Sequence, residues 1–452
     1  MAEDKKGFLS RKLGLFPITN IVVANMIGAG IFTTSGLLMA DLKSPMLMLL
    51  LWLVGGIIAF SGAMCYGEIG ASIPKAGGEY AILSKLYTPK LGFLSGWISF
   101  VVGFSAPIAA SSIGFSEYLY RAIPYIFQLD GISIDWMKKV YSIFIIVLFT
   151  MVHLKGVDFG AKVQNILTVM KVMLVVGLIL FGFTLGEGNF DELKLNNVDL
   201  IGDFSWKTIG LSLMWIMFAF SGWNASVYIG SEIKRPEKNI PLSLLIGTGI
   251  VSVLYLLLNL LFIYAIPSKE MEGVIAIGGL AISKLFGPTF ESLFSLLVAF
   301  ALFSSISAFI ILGPRVYFAM SKDGHFFRFA RKVHPRYQVP TYSIIFQGAI
   351  SIVIILSGTF DQILTYMGFS LGIFPIITIF GLFKLRKQKL SKLRLPGYPI
   401  TPIIYILAGV TMLTLSFMER PMESSIALLT ILAGFPVYYL FGKQKNRREE
   451  IS

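Results

Sequence analysis

Two stretches of this chain place glycine, hydroxyl and amide residues inside long apolar runs. Asn25-Met26-Ile27-Gly28-Ala29-Gly30-Ile31-Phe32 lies in the first run and Phe218-Ala219-Phe220-Ser221-Gly222-Trp223-Asn224 in the sixth. An unsatisfied backbone group costs several kcal/mol in hydrocarbon, so a helix interrupted there must offer its freed groups to protein, water or a ligand. If Gly28, Ala29 and Gly30 unwind, a second half-helix starts near Ile31 with free amides and a positive dipole end at the midplane. That end suits a carboxylate, which assigns Ile27, Gly28, Ala29, Gly30 and Ile31 to carboxylate binding. Unwinding around Ser221-Gly222 leaves the carbonyls of Phe218, Ala219 and Phe220 at the negative end of a half-helix, where a cation is favoured. Phe218, Ala219, Phe220 and Ser221 are therefore assigned to an ammonium. Together the breaks fit the invariant part of an α-amino acid. The alternatives are close helix packing at Gly28 and Gly30 and a simple kink at Ser221-Gly222.

Lys171 is the only charge near the middle of an apolar run. It lies on the order of 15 Å from either interface, too far for its stem to snorkel. A charge at that depth costs roughly 2.5–3.5 kcal/mol on insertion scales. It must pair with carbonyls or hydroxyls inside the bundle, or lose its proton. Ser304, Ser305 and Ser307 are candidates to bond it, to line the site or simply to pack helices. Glu68, Glu117, Glu232, Glu291 and Asp361 all fall toward run ends, so the runs hold no counterpart acid near the middle and neutral substrates are favoured. Phe218 either closes over the ligand or packs as an ordinary aromatic.

These groups need a scaffold that spans lipid. The chain is 55% hydrophobic and 14% charged, well below the charge of a soluble protein of 452 residues. Apolar runs recur near 13–40, 46–70, 91–120, 138–154, 160–184, 206–231, 240–266, 287–317, 340–358, 361–383, 399–417 and 422–441. Each is read as a helix long enough to cross about 30 Å of hydrocarbon, the fourth being the shortest. We number them segments 1–12. Segments 1 and 6 are five spans apart and so cross in opposite directions. Residues 13–184 and 206–383 then form two inverted five-helix repeats, with 399–441 as two peripheral C-terminal helices.

The net charge of +13 reports topology and not nucleic-acid binding. With the N-terminus in the cytoplasm, 28 of the 38 Lys and Arg residues fall on that side, including those of 315–336, 384–394 and 443–448. The 185–205 loop on the other side is acidic (Glu187, Asp191, Glu192, Asp199, Asp203). An even span count returns the C-terminus to the cytoplasm. No cleavable signal peptide is apparent. Cys65 is the only cysteine and the three histidines (His153, His325, His334) are scattered, so neither a disulfide nor a metal site is expected. A short helix is expected after Gly78, and a small helical cap over 268–286.

The ordered landmarks Gly28-Ala29-Gly30-Ile31-Phe32, Glu68 with Pro74-Lys75-Ala76-Gly77-Gly78, Lys162-Val163-Gln164 with Lys171, Ser221-Gly222-Trp223-Asn224 with Glu232 and Pro236, and Arg315 with Asp323-Gly324-His325 resemble the amino acid–polyamine–organocation superfamily. Within it they resemble the L-type amino acid transporter-like permeases. The resemblance implies the fold of LeuT-like transporters and alternating access by a bundle of segments 1, 2, 6 and 7. It implies that Lys171, with Ser304 and Ser305, takes the place of a sodium ion, and that transport is sodium-independent. It further implies that Tyr255 supports the unwound first helix and that Phe218 is the outer gate. Eukaryotic members carry a cysteine between spans 3 and 4 for a heavy-chain partner. The loop 121–137 has none, so no disulfide-linked heavy chain is expected.

The reading is an all-α polytopic plasma-membrane protein of twelve transmembrane helices, with inverted repeats and broken helices 1 and 6. It carries small neutral amino acids as an exchanger or proton symporter, without a cofactor, and its oligomeric state is open. A cationic amino acid or polyamine carrier and a non-transporting sensor are the alternatives. An enzyme is disfavoured because no span carries a catalytic His, Cys or carboxylate cluster.

Overall fold

The computed structural model describes residues 11–449 apart from 12, 156, 194–204, 335, 336, 338 and 359. Lys5, Lys6, Lys12, Arg336, Asp199 and Asp203 of the charge pattern lie outside the described residues, as do the side chains of Lys162, Val163 and 443–448.

The described residues are almost wholly helical. Among the described residues ten helices are long and apolar enough to cross a membrane, the first being Leu15–Leu42 taken through its break. The other two expected segments coincide with shorter apolar helices, Trp206–Ala219 and Thr341–Ser357. Segment 6 falls short because its break ends the helix at Ala219. Local chemistry sets the starts. Ser44 caps segment 2 by accepting from the Leu47 amide, with Pro45 in the first helical position. Thr88 and Pro89 do the same for segment 3, and Ser133 caps segment 4 through the Trp136 amide.

Burial separates centre from perimeter. The apolar window of segment 3 is 83% buried, whereas those of segments 11 and 12 are 28% and 22% buried and turn Leu, Ile and Phe side chains outward. Segment 7 (Pro236–Ala265) packs along segment 2 (Pro45–Ser72), and segment 8 (Pro288–Lys322) along segment 3 (Pro89–Ala122). Segment 3 contains a π turn at Ser99–Gly103, a feature frequent at functional sites. The expected helix after Gly78 is present as Glu79–Leu86, and 268–286 holds two short helices, Ser268–Met271 and Ile277–Phe286.

At the end of the bundle where segment 1 begins, short backbone ladders tie the chain together. The Leu13 amide donates to the Glu232 carbonyl (3.0 Å) and the Lys234 amide to the Leu13 carbonyl (2.9 Å). The Gly77 amide donates to the Tyr228 carbonyl (3.1 Å). We call this the basic end. At the opposite end the Gly273 amide donates to the Gly36 carbonyl (2.8 Å), and the Tyr118 hydroxyl to the Phe32 carbonyl (2.7 Å).

Candidate functional site

Segment 1 is helical over Leu15–Met26 and again over Ala29–Leu42. Between them Ile27 (φ −69°, ψ 91°) and Gly28 (φ −131°, ψ −156°) are extended. The expected unwinding of Gly28–Ala29–Gly30 with a restart near Ile31 is therefore corrected: Ala29, Gly30 and Ile31 are the first helical turn. Their amides are nonetheless the ones that lack acceptors within a helix. Gly30 serves contact. A Cβ there would come 2.5 Å from the Cα of Ala219, so its absence lets the two broken segments touch.

Segment 6 breaks differently. After Ala219 the chain runs through turns at 220–224, with Gly222 at φ 98°, and resumes as the short helix Ala225–Tyr228. A Cβ on Gly222 would lie 2.6 Å from Asn25 Cβ, so this turn packs directly on segment 1. The carbonyls expected to be free each have a partner. Phe218 accepts from the Ser221 amide (2.8 Å), Phe220 from the Trp223 amide (3.3 Å) and Ala219 from the Tyr255 hydroxyl (2.9 Å). Tight turns recapture carbonyls that a fully extended break would leave open. Each oxygen keeps a second lone pair for a cation.

Tyr255 of segment 7 is fully buried, and its hydroxyl faces both the Met26 and the Ala219 carbonyls, the C-terminal ends of the two first half-helices. Lys171 is also fully buried. Its Nζ donates to the Ala24 carbonyl (2.9 Å) and to Ser305 Oγ (3.1 Å), while Ser305 Oγ donates to the Ile27 carbonyl (3.3 Å). One lysine nitrogen and one hydroxyl thus join segments 5 and 8 to the break in segment 1. Ser304 does not join them. Among the described residues its buried hydroxyl has no hydrogen-bond partner, because one residue along a helix turns the side chain about 100° away. Ser307 faces His153 Nε2 at 2.9 Å.

A cavity of about 110 Å³ lies beside the segment 6 break, lined by Asn25, Phe218, Ser221, Gly222 and Ser99 among others. Of the expected site residues, only Phe218 and Ser221 line it. Ile27, Gly28, Ala29, Gly30 and Ile31 are buried and do not line it. Glu79 is also in its wall, although no span carries an acid near its middle. It enters from the loop after segment 2, where counting acids along spans misses it; the one signal was the Gly77-Gly78 pair that turns the loop back. Glu79 Oε1 accepts from Tyr66 Oη (2.6 Å) and Asn224 Nδ2 (3.1 Å). Four of the span-end acids have basic partners: Glu68 with Arg386, Glu117 with Lys138, Glu232 with Arg315, and Glu291 with Arg121. Among the described residues no base pairs with Glu79. Burial pushes its carboxyl up to about 7, against the pull of the Tyr66 and Asn224 donors.

The profile of a family described as "Amino acid permease" matches residues 13–439, nearly the whole chain. The chain belongs to this family. The permease is 28% identical over 448 residues to the serine/threonine exchanger SteT of Bacillus subtilis (strain 168), covering 97% of this chain and 98% of that one. It is 28% identical over 439 residues to Asc-type amino acid transporter 1 of Mus musculus, covering 96% and 81%. It is 27% identical over 444 residues to the large neutral amino acids transporter small subunit 2 of Homo sapiens, covering 96% and 80%. The permease is a multi-pass membrane protein and a transporter, not an enzyme.

Proposed function

We propose that this permease moves small neutral L-amino acids across the plasma membrane without sodium, by alternating access, as an exchanger or with protons. The observation that carries the reading is Lys171. Its ammonium sits against the Ala24 carbonyl, next to the segment 1 break, where a bound cation would otherwise hold the carbonyls together. A tethered cation makes a dissociable one unnecessary. The first-turn amides at 29–31, with Ile27 and Gly28, receive the substrate carboxylate. The carbonyls of Phe218–Phe220, with Ser221, receive its amine, and Phe218 closes over it. Ser305 completes the cation site and Tyr255 supports the unwound helix. A mostly apolar cavity, with Met214, Met217 and Leu371 in its wall, favours an uncharged side chain.

The proposed architecture is twelve spans in two inverted repeats, 13–184 and 206–383, followed by peripheral helices over 399–441. The basic end is cytoplasmic, with both termini there. The names of two relatives support neutral substrates and leave side-chain size open: one is a serine/threonine exchanger and another a subunit of a transporter of large neutral amino acids. One relative is named a small subunit. The lack of a cysteine in 121–137 argues against a disulfide-linked companion for this chain.

The test is uptake of labelled neutral amino acids into liposomes holding the purified permease. Internal neutral amino acid is expected to stimulate uptake, and a sodium gradient to leave it unchanged. Sodium dependence would overturn the role of Lys171. Competition by arginine or putrescine would replace neutral substrates with cationic ones. Saturable binding without flux would make the protein a sensor.

A further inference from the structure

Glu79 is the only carboxylate in the described wall of the central cavity, and recognition of an α-amino acid by the two breaks leaves it unused. We propose that Glu79 is a proton-binding site that latches the segment 6 break: ionised, it holds Tyr66 and Asn224 and keeps the basic end closed; protonated, it releases them. The inference rests on the permease reading above and adds to it the group that senses protons.

The latch spans three parts of the fold. Tyr66 is on segment 2, and Asn224 is the last turn residue of the segment 6 break. The Trp223 ring lies edge-on to Tyr66, with centroids 4.7 Å apart. On the same short helix as Glu79, the Tyr80 hydroxyl donates to Asp323 Oδ2 (2.6 Å) at the end of segment 8. Just before that helix, the Gly77 amide donates to the Tyr228 carbonyl. The loop and helix 76–86 therefore tie segment 6 to segments 2 and 8 across the basic end, and the Glu79 carboxylate is the side-chain anchor on the cavity side.

The groups around Glu79 explain its sensitivity to protons. Tyr66 faces it from segment 2, Tyr228 from beyond the segment 6 break and Tyr405 from segment 11, all neutral phenols. Segment 10 contributes only uncharged residues to the cavity, such as Met367 and Leu371. Asp323 and His325 face Tyr80, which lies on the same helix. With no base beside it, the carboxylate is held ionised only by donated bonds. Those are charge-assisted and roughly twice as strong as neutral ones. One proton taken up at a Glu79 oxygen removes that assistance and adds a donor that competes with Tyr66 and Asn224. Nothing else changes hands. Because burial moves the carboxyl up to about 7, the latch is held above that pH and lost as pH falls through it.

The experiment is initial uptake of a neutral amino acid into liposomes, clamped at equal internal and external pH in steps across neutrality. Wild type is expected to speed up severalfold on acidification, and Glu79→Gln to give a flat profile. Tyr66→Phe removes one donor to the ionised form, so its midpoint is expected at higher pH. A Glu79→Gln profile that follows wild type overturns the proposal, as does a wild-type profile that is flat across neutrality. If Glu79→Gln fails to fold, Tyr66→Phe decides: an unmoved midpoint overturns the latch. Absence of amino acid uptake by wild type at every pH is a different result, and sinks the transport reading itself.

Discussion

In segment 1 the helix stops at Met26, passes through two extended residues and restarts at Ala29. In segment 6 it stops at Ala219, spends five residues in turns and resumes for a single turn at Ala225. The first break is narrow and gives its first-turn amides no acceptor within the helix; it relies on outside help from Lys171, Ser305 and Tyr255. The second is wide and satisfies much of itself, because its turns feed amides back to the Phe218 and Phe220 carbonyls. An extended break leaves anion-binding groups free but needs a scaffold. A turned break supports itself and leaves each carbonyl only one lone pair for a cation.

The largest effect is expected from removing the outside help of segment 1. Lys171→Ala strands the Ala24 carbonyl, at a cost of about 1–3 kcal/mol for a buried group without a partner, and takes from Ser305 Oγ the donor it accepts from, leaving that hydroxyl only its bond to the Ile27 carbonyl. Uptake in liposomes should fall by about 100-fold or more, with Lys171→Arg keeping a measurable part. Full uptake by Lys171→Ala would show that segment 1 also supports itself, and would erase the contrast.

A smaller effect separates the two glycines. Gly30→Ala drives a methyl into Ala219, and such overpacking costs about 1–3 kcal/mol. Gly28→Ala places its methyl 3.4 Å from Ser305 Oγ at an ordinary φ, and should cost less than about 1 kcal/mol. Thermal unfolding, read by labelling of the buried Cys65, checks both. Equal losses would mean that the break itself, and not contact between the breaks, requires glycine.

The smallest effect contrasts neighbouring serines. Ser305→Ala removes a bond at the Ile27 carbonyl and should raise KM by roughly fivefold, for about 1 kcal/mol. Ser304→Ala removes a hydroxyl that has no partner and should leave KM unchanged.

Several features were legible because lipid imposes its rules locally. Twelve apolar runs, two glycine-bearing interruptions and a mid-span lysine that must find acceptors all follow from what hydrocarbon refuses to solvate. Lys171 does meet a carbonyl and a hydroxyl. The short helix expected after Gly78 is present as Glu79–Leu86. Other features depended on which helix lies opposite. Gly30 fits both unwinding and close packing in the sequence, and its approach to Ala219 selects packing. Ser304 and Ser305 are equivalent in composition, and only the rotation of segment 8 selects Ser305. Glu79 begins a short helix outside the spans, yet the preceding loop folds back and places its carboxylate in the cavity wall. Membrane class, segment positions and the need to pair a buried charge were thus determined by the sequence alone, since each residue meets lipid or water on its own. Which glycine bends and which packs, which serine bonds, and which acid reaches the cavity were decided by tertiary structure, because those are relations between residues far apart in the chain.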